Sequence, residues 1–95
     1  MQRKAFSTLI STVIAACSCA ATGDLEGITR LYNLGILLSL GDYDKRTPLH
    51  LASAAGHLDI VKFLISVKAE LSPHDRWGAT PLNDAKNETI RELLV

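Results

Sequence analysis

Three histidines and two cysteines are the residues of this 95-residue chain best suited to hold a metal or act as a nucleophile. Cys17-x-Cys19 lacks the second ligand pair of a structural zinc site, and His50, His57 and His74 stand at no zinc-ligand spacing from it. Cysteines two residues apart on a helix point to different faces, so the pair reads as two small core residues, not a chelate or a disulfide. The six glycines form neither a G-x-G-x-x-G fingerprint nor a Walker sequence, the loops that cradle phosphates. Catalytic residues, cofactors, metals and a small-molecule substrate are therefore not expected. Ten basic residues balance ten acidic ones. That balance leaves no basic excess for nucleic acid or an anionic membrane surface.

The elements that position these residues are organised by repetition. Shifted by 33 residues, Asp42 falls on Asp75, Thr47-Pro48-Leu49 on Thr80-Pro81-Leu82 and Ala52 on Ala85. In the other direction, Gly56 falls on Gly23, Leu58 on Leu25, Asp59 on Glu26 and Leu64 on Leu31. Each unit reads as two helices and a turn. Thr47 caps a helix with its hydroxyl, and Pro48 in the first turn sacrifices no hydrogen bond. The Ala-rich helix from Leu49 to Ala55 lets a neighbour approach closely, and Gly56 suits a left-handed residue that ends it. A second helix is predicted from about Leu58 to Val67, with Ile60, Val61, Leu64 and Ile65 on one face. Asp59 and Lys68 suit its dipole. In the last unit Ile90 and Leu94 align with Ile60 and Leu64 at a step of 30, so three residues are missing between its helices. The units run over about 5–41, 42–74 and 75–95, the first and last irregular.

The N-terminus carries a competing pattern. No residue from Ala5 to Gly23 is charged, and the run follows Met-Gln-Arg-Lys, as in a signal peptide or a mitochondrial presequence. Ile14-Ala15-Ala16-Cys17 even resembles a lipoprotein cleavage box. Ser7, Thr8, Ser11, Thr12, Ser18 and Thr22 dilute the run well below a membrane span. The repeat register also needs a helix here, and Phe6, Leu9, Ile10, Val13, Ile14 and Cys17 stand at helical spacing, so a structural helix is the expectation.

A period of 33 with Thr-Pro-Leu-His opening the unit is the mark of an ankyrin-type array. The predicted fold is accordingly all-α, an ankyrin-repeat stack of helix-turn-helix units. Gly41 to Ala52, Gly56 to Leu64, and Asp75-Arg76-Trp77-Gly78-Ala79-Thr80-Pro81-Leu82 resemble the C-terminal ankyrin repeats of the glutaminase family. Ankyrin-bearing asparaginases share much of this signature. The resemblance covers residues 15–95 and implies a catalytic domain N-terminal to such repeats. The Ser-x-x-Lys arrangement that glutaminase chemistry implies is absent, as are the glycine-flanked threonines of asparaginases. The expected function is a non-catalytic module for binding a protein partner or a second copy. The alternative is the C-terminal fragment of a glutaminase-type or asparaginase-type amidohydrolase. The setting expected is intracellular and cytoplasmic, or mitochondrial if the parent is a glutaminase.

By the same resemblance His50 is structural, bonding backbone between adjacent turns, with Thr47, Pro48, Leu49, Gly56, Thr80 and Pro81 as the framework. His57 is expected to hydrogen-bond the inter-helix loop. Candidate partner-binding residues are Tyr43, Lys45, Arg46, Arg76 and Trp77, all on the turn side. Lys45 stands where such repeats carry glycine, as Gly78 does here, so a different turn is expected around it. In Gly35-Ile36-Leu37-Leu38-Ser39-Leu40, two of the four apolar residues are expected to tuck under a neighbour. Both ends of so short a stack should expose apolar residues, Ile10 or Val13 at one and Leu93 or Leu94 at the other. Marginal stability and self-association follow from that.

Overall fold

A computed structural model describes the backbone of residues 2–95 and the side chains from Ile10 onward. Six helices form in chain order: α1 (Gln2–Thr22), α2 (Leu25–Asn33), α3 (Pro48–Ala55), α4 (Leu58–Ser66), α5 (Pro81–Asp84) and α6 (Glu88–Leu94). No strand occurs among the described residues. Helix α3 packs between α1 and α5, and α4 lies between α2 and α6, so two rows of helices run side by side. The body measures 45 × 29 × 21 Å. Among the described residues no helix is long and apolar enough to cross a membrane.

The repeated Thr-Pro starts each inner helix by the same device. Thr47 Oγ1 accepts from the His50 N–H at 3.4 Å, while His50 Nδ1 accepts from the Thr47 N–H at 3.1 Å. Thr80 and Asn83 make the same reciprocal pair at 3.4 and 2.9 Å, with an amide oxygen in place of the imidazole nitrogen. Gly56 ends α3 at φ 82° and Gly23 follows α1 at φ 80°, the left-handed conformation that favours glycine. Gly23 has a second constraint: a Cβ there would lie 2.8 Å from His57 Cε1. His57 itself donates from Nε2 to the Ala21 carbonyl at 3.1 Å, reaching the inter-helix turn of the unit before it.

Outer helices end by a shared turn on unlike residues. After α2, Gly35 takes φ 87° and the Ile36 N–H bonds the Leu31 carbonyl at 3.1 Å. After α4, Lys68 takes φ 63° and the Ala69 N–H bonds the Leu64 carbonyl at 3.0 Å. The last unit closes differently. Its inner helix is a single turn, and Ala85 leaves it at φ −56°, ψ 124°, straight into α6. The Lys86 N–H then bonds the Ser53 carbonyl at 2.9 Å, and the Lys86 side chain lies over Gly56.

Ile28, Leu49, Ile60, Val61, Leu64 and Ile90 form the fully buried centre. Ala16, Ala20, Ala52 and Ala85 line the inner row, where small side chains let helices close up. At each end of the stack one residue of the expected pair stays half-exposed, Ile10 and Leu93, and the other is covered. Val13 is 3% exposed, because it shares a face with Ala16, Cys17 and Ala20 at helical spacing, and Ile14 is the residue turned outward. Leu94 is 6% exposed, since it sits with Ile90 on the face of α6 that meets the core. Phe6 and Leu9 lie outside the described side chains. In the connector, Leu38 is buried and Ile36 packs on the core, whereas Leu37 stays in solvent.

Candidate interaction surface at the turn tips

Two five-residue turns precede the inner helices α3 and α5, each built on one aspartate. Asp42 Oδ1 accepts from the Asp44 and Arg46 N–H groups at 2.9 and 3.1 Å. Asp75 Oδ1 accepts from Trp77 and Ala79 at 2.9 Å each. The ends of both turns are pinned alike, by Asp42 N–H to the Arg46 carbonyl and Asp75 N–H to the Ala79 carbonyl, each 2.9 Å. Hydrogen bonding to its charged form, first from Ala79, holds the Asp75 carboxyl below the usual carboxylate range.

This scaffold overrides local preference at Lys45. A different turn was expected there, but Lys45 adopts φ 62° in the same place where Gly78 adopts φ 81°. The Lys45 N–H still reaches the Asp42 carbonyl at 2.8 Å, as Gly78 reaches Asp75 at 3.0 Å. The aspartate bonds fix the turn strongly enough to carry a left-handed lysine, whose conformation costs about 1–2 kcal/mol.

Adjacent tips are tied together. The Arg76 N–H donates to the Asp44 carbonyl at 2.8 Å, and Arg76 Nη1 pairs with Asp44 Oδ1 at 3.1 Å. One layer inward, His50 Nδ1 accepts from Thr47, so its proton is assigned to Nε2, which donates to the Ala79 carbonyl at 2.8 Å. Arg46 Nη2 pairs with Asp84 Oδ2 at 3.1 Å in a half-buried position. The Arg46 carbonyl accepts weakly from the Cys17 thiol at 3.5 Å. Arg46 is thus a joint between α1, its own turn and α5.

The other four candidates lie on the rim. Tyr43 is 76% and Trp77 67% exposed. Trp77 stacks under the Arg76 guanidinium, 5.3 Å from its ring centroid, and not on Tyr43. Lys45 is exposed and meets no ion-pair partner among the described residues. Asp44 and Asp84 were not foreseen as partners, although Asp44 and Arg76 stand 32 residues apart, close to one period.

Among the described residues, His50, Asp75 and Asp84 bring potential ligand atoms within 4.8 Å of one another. Both His50 nitrogens, Asp75 Oδ1 and Asp84 Oδ2 already have hydrogen-bond partners, so the cluster works as a joint between units. The Cys17 thiol is pushed up to about 12, first by burial and then by Asp42, which makes it a poor nucleophile. His74 is exposed. Away from the tips, an apolar groove of about 280 Å³ runs between Tyr32, Leu38 and Leu40 on one side and Val67, Lys68 and Ala69 on the other.

Comparison with known proteins agrees with this architecture. The family described as ankyrin repeats (3 copies) matches residues 13–95. The chain is 48% identical over 78 residues to serine/threonine-protein kinase 12 of Arabidopsis thaliana, covering 79% of this chain and 17% of that one. It is 43% identical over 75 residues to the mitochondrial liver isoform of glutaminase from Rattus norvegicus, covering 78% and 12% respectively. Potassium channel GORK of Arabidopsis thaliana is 39% identical over 81 residues, 82% of this chain and 10% of the channel. The chain therefore spans less than a fifth of each of these relatives, and the part they share with it is the repeat array. With six paired helices, two aspartate-pinned turns and a family match over residues 13–95, the chain belongs to the ankyrin-repeat family.

Proposed function

We propose that this chain is a non-catalytic protein-interaction module whose contact surface is the pair of turn tips carrying Tyr43, Lys45, Arg76 and Trp77, with Arg46 bracing them from beneath. Ankyrin repeats are a protein-interaction module in general. The observation that carries the reading here is the exposure of Trp77 and Tyr43 on a rigid, hydrogen-bonded scaffold. Large aromatic side chains and arginine dominate the energetics of protein interfaces, and a pre-ordered surface loses less entropy on binding. The relatives add support. A kinase, a glutaminase and a channel have different activities by name, and the segment each shares with this chain is the same array. A protein partner or a second copy is the expected ligand.

A second reading has its own support in the likeness to glutaminases and to an asparaginase, 43% and 36% identical. On it the array is an accessory region of a longer amidohydrolase, mitochondrial if the parent is a glutaminase. Both readings leave this segment without hydrolytic activity, so turnover of glutamine or asparagine by the purified chain contradicts both. The tip surface is tested by affinity capture with wild type and with the Tyr43→Ala/Trp77→Ala double variant. Both side chains are exposed, so the variant should keep the wild-type melting temperature. The proposal expects its captured partner to be lost. Equal capture by a folded double variant rules out the tips.

A further inference from the structure

We infer that the tips receive an acidic segment of the partner protein, an inference that rests on the tips being the contact surface. Three observations lead there. First, the carboxylates of this region are engaged, and three of the four turn inward. Asp42 and Asp75 bond the backbone of their own turns, and Asp84 pairs with half-buried Arg46. Asp44, the acid nearest the rim, is occupied by Arg76. Second, the cations turn outward. Arg76 is exposed and keeps donors beyond the one that meets Asp44, and Lys45 stands exposed without an ion-pair partner among the described residues. Balanced in total, the chain is unbalanced in placement: on the surface of the tips Asp44 is matched by Arg76, and Lys45 leaves a positive excess.

Third, Lys45 holds a left-handed φ of 62° at a position where the following unit uses Gly78. Strain of this kind concentrates at working sites, because there a side chain is kept against the local backbone preference. Lys68 shows the same conformation at the end of α4, so strain alone does not single out Lys45. What distinguishes it is the company of Tyr43, Arg76 and Trp77 on one rim. A carboxylate of the partner lies between the Lys45 ammonium and the Arg76 guanidinium. The apolar stems of the same segment cover the outer face of Trp77, the face not stacked by Arg76.

Trp77 is the single tryptophan of the chain, so its emission reports binding at the tips directly. The full chain is titrated with a dodecapeptide of alternating glutamate and proline, with the glutamine analogue and with an oligothymidylate as controls. The glutamate peptide should change Trp77 emission, with an affinity that falls as salt is raised. Lys45→Gly should weaken it about threefold to fivefold, the range of one exposed ion pair, and Arg76→Gln by a similar factor. Lys45→Gly is expected to keep the turn and raise the melting temperature, and a melt of the variant separates lost binding from lost folding. The inference is overturned by an unchanged emission, by equal binding of the glutamine peptide, or by equal binding to Lys45→Gly. Oligothymidylate binding as tightly as the glutamate peptide also overturns it, since any polyanion would then do. If partner capture requires Tyr43 and Trp77 but tolerates Lys45→Gly and Arg76→Gln, this inference falls while the tip surface stands.

Discussion

At the scale of single residues, His50 has the most partners to lose. Its ring is fully buried, with one nitrogen accepting inside its own unit and the other donating to the next. His50→Ala strands the Thr47 N–H and removes one of the two donors of the Ala79 carbonyl, which keeps the Asp75 N–H; at about 1–3 kcal/mol for the unpaired buried group and about 1 kcal/mol for the second lost bond, the loss should be about 2–4 kcal/mol. His50→Asn should recover the local half, as Asn83 does in the last unit, and lose about half as much. Urea denaturation of the three proteins gives the ordering; a His50→Asn variant no better than His50→Ala contradicts it. Cys17 makes a prediction in pH. Its thiol titrates near 9.0 when unfolded and near about 12 when folded, so between those values the unfolded chain has released a proton that the folded chain keeps. Stability is therefore unaffected well below pH 9.0 and falls as pH rises above it, at up to about 1.4 kcal/mol per unit from this group. Subtracting the alkaline profile of Cys17→Ala from that of wild type isolates the effect, and parallel profiles would refute it. The hydrogen bonding of His50 and the burial of Cys17 were legible because Thr-Pro-Leu-His and the helical spacing around Cys17 carry their meaning locally. Asp44 and Asp84 were not, because each acts through a side chain in another unit.

At the scale of elements, repetition made most of the structure readable. The caps at Thr47 and Thr80, the glycine turns and the inner and outer helices follow from a register visible at 33 residues. Lys45 was misread because propensity was weighed at one residue, while the turn is decided by the four hydrogen bonds that Asp42 gathers. Two lysines, Lys45 and Lys68, now occupy left-handed positions whose counterparts one unit away are Gly78 and Gly35. Copying the neighbour should help: Lys45→Gly and Lys68→Gly are each expected to stabilise the chain by about 1 kcal/mol. Lys62→Gly, inside α4, is expected to destabilise it by a similar amount. Thermal melts of the three variants decide the matter, and a fall in melting temperature for both Lys45→Gly and Lys68→Gly would show that those turns are not strained.

At the scale of the molecule, apolar surface lies both at the ends of the stack, at Ile14 and Val95, and in the first connector. The end residues Val13 and Leu94 are covered, while Leu34 and Leu37 in the first connector are 72% and 66% exposed beside the apolar groove. One unit later the position of Leu37 is held by Glu70, a change no periodicity argument anticipates, because a connector has no fixed face. Leu37→Glu should raise the concentration at which the chain begins to self-associate, read by sedimentation velocity, with little change in melting temperature. The same molecule therefore presents two surfaces of different character, aromatic and basic tips and an apolar connector, and partner binding is proposed at the tips. Hydrogen exchange of the chain in complex with a captured partner tests that assignment most directly. Slowed exchange is expected over residues 42–46 and 75–79, with residues 34–40 unchanged; protection confined to residues 34–40 and 67–69 would rule out binding at the tips.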